Sequence, residues 1–223
     1  MPVPVNISII IESIERIDVV KMSFSAKFKL IMEWFDAKIT WNDLNDDKFL
    51  NIPSQNIVER LWVPVIIFVN TEMKSETTID NKARIVVEKK GKYTLSPTQD
   101  MEEIAYYKGS ENPIRYLRDF YLRFNCQFDL QSYPFDSQVC TILMMMPGKE
   151  DQFMKFIPKY LAYSGPKGLA EFFITSIAMK PAKDTEEYNI KVIISLKRRI
   201  AKHIQSTYLP SICILIIAQV CTL

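Results

Sequence analysis

The sequence contains little of the chemistry that enzymes and nucleic-acid-binding proteins need. Its single histidine, His203, stands at the edge of an apolar run, where a Ser-His-Asp or Cys-His arrangement would have to work at a membrane surface. With five glycines in 223 residues, the chain has no glycine-rich phosphate loop. The formal net charge of +2 gives no strong attraction for nucleic acid. We therefore expect no enzyme, no cofactor and no nucleic-acid partner.

The sequence also lacks a glycine- or serine-rich linker that would divide it into domains. Its composition, 48% hydrophobic and 24% charged, is typical of a globular chain. From Ile204 to Leu223, however, 20 residues carry no charge. About 20 apolar residues in a helix cross the hydrocarbon core of a bilayer. We therefore predict a domain over residues 1–202 and a truncated membrane-spanning helix over residues 203–223, with a buried C-terminal core helix as the alternative.

Alternating apolar residues predict β-strands over most of the chain. Apolar side chains recur at every second position from Val3 to Ile9 and from Met22 to Met32, a pattern typical of strands with one buried face. Further strands are predicted at Trp62–Val69, Ala83–Glu88, Lys92–Leu95, Tyr116–Phe124, Val139–Met145, Glu171–Met179 and Tyr188–Leu196. Many short strands separated by turn signals favour an all-β fold. We expect an antiparallel, immunoglobulin-like β-sandwich of about ten strands, followed by the partial transmembrane helix.

The four cysteines form two pairs of different character. Cys213 and Cys221 lie in the apolar tail, where cysteine acts as a small hydrophobic residue. Cys126 and Cys140 flank a polar, turn-prone segment of 13 residues. The short C-x-x-C spacing of zinc sites is absent, so we expect no metal. The spacing alone permits either a disulfide or two buried thiols.

The segment between Cys126 and Cys140 resembles that of the Cys-loop receptors, the pentameric neurotransmitter-gated ion channels. The resemblance rests on the 13-residue separation, the Tyr133-Pro134-Phe135-Asp136 tetrad, and a glutamine two residues before the second cysteine. Three further segments are similar to the family: Glu33–Trp41, Leu61–Pro64 and Leu196–Ser211. The last of these resembles the entry to the first membrane helix in the anion-selective, chloride-conducting branch.

This resemblance implies a Cys126–Cys140 disulfide and an extracellular sandwich at the plasma membrane. It further implies that homologous subunits form a homo- or hetero-pentamer around a pore in the lipid bilayer. A small-molecule, neurotransmitter-like agonist would bind between neighbouring subunits. Its binding would be coupled to opening of the pore.

The resemblance also implies which residues couple agonist binding to the pore. By position, Asp136 and Arg198 meet at the membrane boundary, where a carboxylate and a guanidinium can form bidentate hydrogen bonds. The alternative is that both are solvated surface charges. The other residues expected to take part are Tyr133, Pro134, Phe135, Val19 and Val20.

The agonist-binding positions implied by the family mostly lack its aromatic side chains, which hold a cationic amine by attraction to their ring faces. These positions correspond to Lys29, Ile31, Val69, Pro147 and Tyr188, with Asp119 and Tyr121 on the strand expected to face a neighbour. The usual amine cage cannot be assembled from these residues. The subunit therefore binds another ligand, works beside a binding-competent subunit, or is a non-functional receptor fragment.

Two features concern export. The triplet Asn6-Ile7-Ser8 is an N-glycosylation acceptor and fits an exported chain. The N-terminus has no secretory signature, so we expect a fragment that lacks its true start. A soluble, secreted ligand-binding protein of the same fold is the alternative, against which the uncharged tail argues.

Overall fold

The computed structural model describes residues 2–72, 75–78, 82–97, 103–148, 152–182 and 189–221. Most of these residues lie in strands, which confirms the all-β prediction. The strands are β1 (Val3–Asp18), β2 (Ser23–Trp34), β3 (Thr40–Asn42), β4 (Ile67–Phe68), β5 (Ser75–Glu76), β6 (Arg84–Val87), β7 (Tyr93–Pro97), β8 (Glu103–Lys108), β9 (Ile114–Asn125), β10 (Ser137–Met145), β11 (Met154–Tyr163), β12 (Phe172–Pro181) and β13 (Ile190–Arg198). The helical segments are α1 (Gln55–Val58), α2 (Ile200–His203), a π-helical turn (Ile204–Tyr208) and α3 (Leu209–Cys221).

The described strands form two five-stranded sheets and one three-stranded sheet. The front sheet has the order β11-β1-β2-β9-β6, the back sheet has the order β12-β13-β10-β4-β5, and β3-β8-β7 form the small sheet. Among the described strand pairs, only β1 and β11 run parallel. A parallel pair needs a long connection, which the intervening strands provide.

Aromatic side chains join the front and back sheets. Phe28 and Phe120 of the front sheet lie 5.5 Å apart, and both contact Phe68 of the back sheet at centroid distances of 5.5 and 5.2 Å. All three side chains are buried. Each such ring pair adds about 0.5–1.5 kcal/mol beyond the burial of its area. The predicted alternation along β2 thus places one face in a core shared by both sheets.

Prolines explain two differences from the predicted strands. The strand predicted at Trp62–Val69 is reduced to Ile67–Phe68, and Pro64, which lies in the lost part, has no N–H to donate to a sheet. Strand β11 was not predicted because Pro158 interrupts it. The register with β1 shifts at this proline, next to Ile7, and β11 is an edge strand, where a proline is tolerated.

The chain continues from β13 into helical structure up to Cys221. The helix predicted in the tail is present, and Ile212, Ile214 and Leu215 are each more than half exposed. The alternative of a buried core helix is therefore wrong.

Taken over the residues with described positions, no helix combines the length and the apolar character that crossing a membrane requires.

Truncating a buried phenylalanine should lower the free energy of unfolding much more than truncating an exposed one. Phe28→Ala should lower the free energy of unfolding by about 3–5 kcal/mol, because it leaves a cavity between the sheets. Phe153→Ala should change it by less than about 0.5 kcal/mol, because Phe153 is 70% exposed whereas Phe28 is 1% exposed. Urea denaturation of both variants measures these values, and equal losses would contradict the assigned core.

Candidate coupling and agonist sites

A disulfide closes the loop between β9 and β10. Cys126 and Cys140 are bonded, with an S–S distance of 2.04 Å and Cα atoms 5.2 Å apart. The predicted disulfide is thus confirmed, and the alternative of two free thiols is wrong. Closing a loop of about 15 residues stabilises the folded state by about 3 kcal/mol in the chain-entropy description.

Gln138 forms hydrogen bonds with other residues of the disulfide loop. Its side chain is buried, accepts a hydrogen bond from the Asp129 backbone N–H at 2.9 Å, and donates to the Asp129 carbonyl at 2.6 Å. It also donates to the Asp136 carboxylate. In the sequence, only the spacing from Cys140 distinguished Gln138. The structure shows that its side chain connects Asp129 with Asp136, two separate parts of the loop.

Asp136 and Arg198 form a buried, bidentate ion pair. Arg198 Nε donates to Asp136 Oδ1 at 2.6 Å, and Nη2 donates to Oδ2 at 3.0 Å. The two side chains are 2% and 3% exposed. The Arg198 backbone N–H also donates to the Asp136 carbonyl at 3.2 Å. The pair therefore lies in the interior, and the alternative of solvated surface charges is wrong.

Two aromatic rings flank the Arg198 guanidinium. Its central carbon lies 4.5 Å from the Phe172 ring centre and 5.0 Å from that of Tyr133. Such cation–ring contacts contribute about 0.5–2 kcal/mol, more where water is excluded. Phe172 was not predicted here. The strand register accounts for this contact, because Phe172 is paired with Arg198 where β12 lies beside β13.

The Asp136 carboxyl is held ionised by its surroundings. Burial alone would raise its pKa, but the hydrogen bonds from Arg198 and Gln138 outweigh burial and hold the pKa below its usual value. The carboxylate is therefore charged at neutral pH. Glu171 lies 3.8 Å from Arg198 Nη1 and is a second, more exposed anion near the same cation.

The β1–β2 turn lies against the disulfide loop. The Cys126 backbone N–H donates to the Met22 carbonyl at 2.8 Å. On this turn Val20 is 93% exposed, whereas Val19 packs against the core.

The Tyr133-Pro134-Phe135-Asp136 tetrad likewise contains both exposed and buried side chains. Within it Phe135 is 68% exposed and Tyr133 is half exposed, while Pro134, which follows a cis peptide bond, is buried. We call the turn and loop, residues 19–22 and 127–139, the basal loops. They expose the apolar side chains of Val20, Tyr133 and Phe135.

Four of the agonist positions implied by the family lie on the outer side of the front sheet. Lys29 and Ile31 are on β2, and Asp119 and Tyr121 are on the neighbouring β9. Lys29 Nζ lies 3.6 Å from Asp119 Oδ1, so a partly exposed ion pair occupies the strand position where the family has an aromatic ring. Tyr121 is half exposed beside it.

Two further agonist positions lie just beyond the ends of strands of the back sheet. Val69 follows β4 and donates its backbone N–H to the Leu143 carbonyl at 3.0 Å, and Pro147 follows β10. Tyr188 falls outside the described residues. The six described positions are therefore divided between the two sheets of one chain, and the structure does not bring them together within it.

Asn6 lies within a sheet, not in a loop. It is half-buried in β1, where it is paired with Ile157 of β11 and Glu33 of β2. A glycan acceptor is usually found on a surface loop. Its glycosylation remains a prediction.

In the ranges that the structure describes, no group of three or more metal-ligating side chains could hold a metal ion.

The fold and the loop define the class of protein as an all-β sandwich domain with a short disulfide loop beside a C-terminal helix. The family described as "Neurotransmitter-gated ion-channel ligand binding domain" matches residues 1–160. The chain belongs to this family. The resemblance identified in the sequence is thereby confirmed.

The similar proteins are receptor and channel subunits. The chain is 24% identical to the gamma-aminobutyric acid receptor subunit beta-like of Drosophila melanogaster, over 98% of this chain and 43% of that protein. It is also 24% identical to the glutamate-gated chloride channel subunit beta of Haemonchus contortus, over 98% of this chain and 49% of that protein. It is 23% identical to the gamma-aminobutyric acid receptor subunit rho-3 of Rattus norvegicus, over 98% of this chain and 44% of that protein. The chain thus spans less than half the length of these relatives. Their names support the anion-channel-like branch of the family.

The ion pair predicts a pH-dependent contribution to stability. Because the pKa of Asp136 is lowered by folding, the contribution is complete above the ordinary aspartate pKa of about 3.9 and is lost as the pH falls through the folded-state pKa. Asp136→Asn should therefore cost about 3–5 kcal/mol at neutral pH. The difference in the free energy of unfolding between Asp136→Asn and the wild type should decrease below about pH 4.

Urea denaturation between about pH 2 and 8 measures this difference across the range in which carboxylates titrate. Asp119→Asn is the matched control, since Asp119 is 62% exposed and its ion pair with Lys29 is longer. A loss from Asp136→Asn no larger than that from Asp119→Asn would contradict the assignment of a structural ion pair.

Proposed function

We propose that this chain is the extracellular ligand-binding part of a plasma-membrane ion-channel subunit, gated by a small, neurotransmitter-like agonist. Five homologous subunits surround an anion-conducting pore, and the agonist binds between them. The observation that carries this proposal is the buried Asp136–Arg198 pair, which links the disulfide loop to the strand that leads into the C-terminal helix.

The position of this pair suits it to transmit movement. Asp136 belongs to the disulfide loop, and Arg198 ends β13, two residues before the helix that starts at Ile200. Separating the charges would leave each buried without its partner, at a cost of several kcal/mol. The loop and the start of the helix therefore move together when the sandwich changes shape.

The division of the agonist positions supports binding between subunits. The positions on β2 and β9 face outward from the front sheet, whereas Val69 and Pro147 lie just beyond the ends of β4 and β10 in the back sheet. A ring built from head-to-tail contacts brings two different faces of neighbouring copies together. These positions lack the aromatic side chains that would surround a cationic amine. The agonist is therefore not an amine held in this way, or a companion subunit supplies the aromatic rings.

The apolar tail supports attachment to a bilayer. After an alkaline wash of membranes that contain the chain, the protein should remain in the pellet, because 20 uncharged residues end the sequence. A variant with Ile214 and Ile217 changed to Lys should move to the supernatant. Extraction of the unchanged chain would instead support the soluble binding protein of the same fold.

A double-mutant cycle tests the coupling role. The complete subunit that contains this chain is expressed alone and with the Haemonchus contortus glutamate-gated chloride channel subunit beta, and currents evoked by gamma-aminobutyric acid and glutamate are recorded. Asp136→Asn and Arg198→Gln should each raise the half-maximal agonist concentration. The double variant should differ from the sum of their effects by about 1 kcal/mol or more, because the residues form one unit.

The control cycle uses the exposed pair of Glu12 and Lys27, which are 2.7 Å apart. Glu12→Gln and Lys27→Gln should be additive within about 0.5 kcal/mol. Additive effects at Asp136 and Arg198 would remove the coupling role. A subunit that gives no current alone and leaves the currents of its companion unchanged would remove the channel function.

A further inference from the structure

A cavity of about 300 Å³ lies away from both sites described above. Its walls come from strand β3, the loop and helix from Asp43 to Ile57, and Val87 of β6. It contains none of the agonist positions implied by the family and none of the residues of the basal loops. Its volume is at the lower end of the range for small-molecule sites.

The wall of this cavity is held in place before any ligand binds. Asn51 is buried, its side chain accepts a hydrogen bond from the Asn45 backbone N–H at 2.7 Å, and it donates to the Val87 carbonyl at 3.0 Å. The Val87 backbone N–H returns a hydrogen bond to the Asn51 carbonyl at 3.0 Å. These bonds fasten the loop to strand β6, so a ligand meets a preformed surface, which lowers the entropy lost on binding.

The lining combines one charge with an apolar wall. Asp43 is the only ionisable residue among the lining side chains, and its exposed carboxylate has no ion-pair partner in the described ranges. Trp41 is buried in the wall beside it and contributes an aromatic ring to the cavity lining.

Aliphatic side chains surround the mouth of the cavity. Leu50 and Ile52 are each more than half exposed, and Ile57 is 40% exposed. A ligand with an apolar body would cover these side chains and remove their surface from water. Because Asp43 is the one charged side chain of the described lining, the cavity favours a cationic ligand over an anionic one.

We propose that this cavity binds small organic monocations, with the ammonium group at the Asp43 carboxylate and the apolar body against Trp41 and the aliphatic rim. The site is separate from the agonist positions between subunits, and the proposal does not rest on the proposed channel function. It holds for the isolated chain as well as for an assembled receptor.

The experiment uses the full 223-residue chain in detergent micelles, with its three tryptophans labelled with ¹⁵N. The three indole N–H signals are followed by NMR while phenethylammonium is added, and Trp41→Phe assigns the Trp41 signal. The Trp41 signal should shift and saturate. The neutral analogue 2-phenylethanol should bind about tenfold or more weakly, because it lacks the charge-assisted hydrogen bond.

Asp43→Asn is the test variant. The residue has a φ of 51°, a left-handed conformation that asparagine tolerates as well as aspartate, so the loop should be retained. This variant should weaken phenethylammonium binding about tenfold. Asp46→Asn is the control, because Asp46 lies in the same loop, pairs with Lys89 at 2.9 Å, and does not line the cavity.

Three results would overturn the proposal: a Trp41 signal that does not move or does not saturate, equal affinity for phenethylammonium and 2-phenylethanol, or equal losses in the Asp43 and Asp46 variants. If Asp43→Asn fails to fold, its three indole signals will collapse together. The comparison of charged and neutral ligands in the unchanged chain then decides the question.

Discussion

The ion pair between Asp136 and Arg198 is the constraint on which the lower end of the sandwich depends. Removing both charges from water is costly, so the pair is stable only when every polar atom is satisfied. The structure meets this condition with bidentate bonds, a donor from Gln138, and two aromatic rings beside the guanidinium. Residues distant in sequence are thereby fixed relative to each other.

The disulfide and the ion pair both hold the disulfide loop. The disulfide joins the end of β9 to β10, and the ion pair joins Asp136, directly before β10, to Arg198 at the end of β13. The Met22 carbonyl adds the β1–β2 turn to this assembly. The front and back sheets are therefore linked at the basal loops by a disulfide and by hydrogen bonds, in addition to the aromatic contacts in the core.

The ion pairs of the front sheet and of the basal loops differ in burial. Lys29 and Asp119 form a partly exposed pair on the outer side of the front sheet, whereas the side chains of Asp136 and Arg198 are almost completely buried. A mutation at an exposed position costs little stability, whereas one in a buried ion pair costs much. Substitutions at Asp136 or Arg198 should therefore cost more stability than substitutions at Lys29 or Asp119.

The sequence by itself determined the strand pattern of β1, β2, β9 and β10, because alternation with period 2 is a local property. Cysteine spacing and the tetrad were sufficient to identify the family. The contact of Phe172 with Arg198, the bulge at Pro158 and the burial of Asp136 were decided by the tertiary structure. These features depend on the register between segments far apart in the chain, and no local pattern of residues specifies that register.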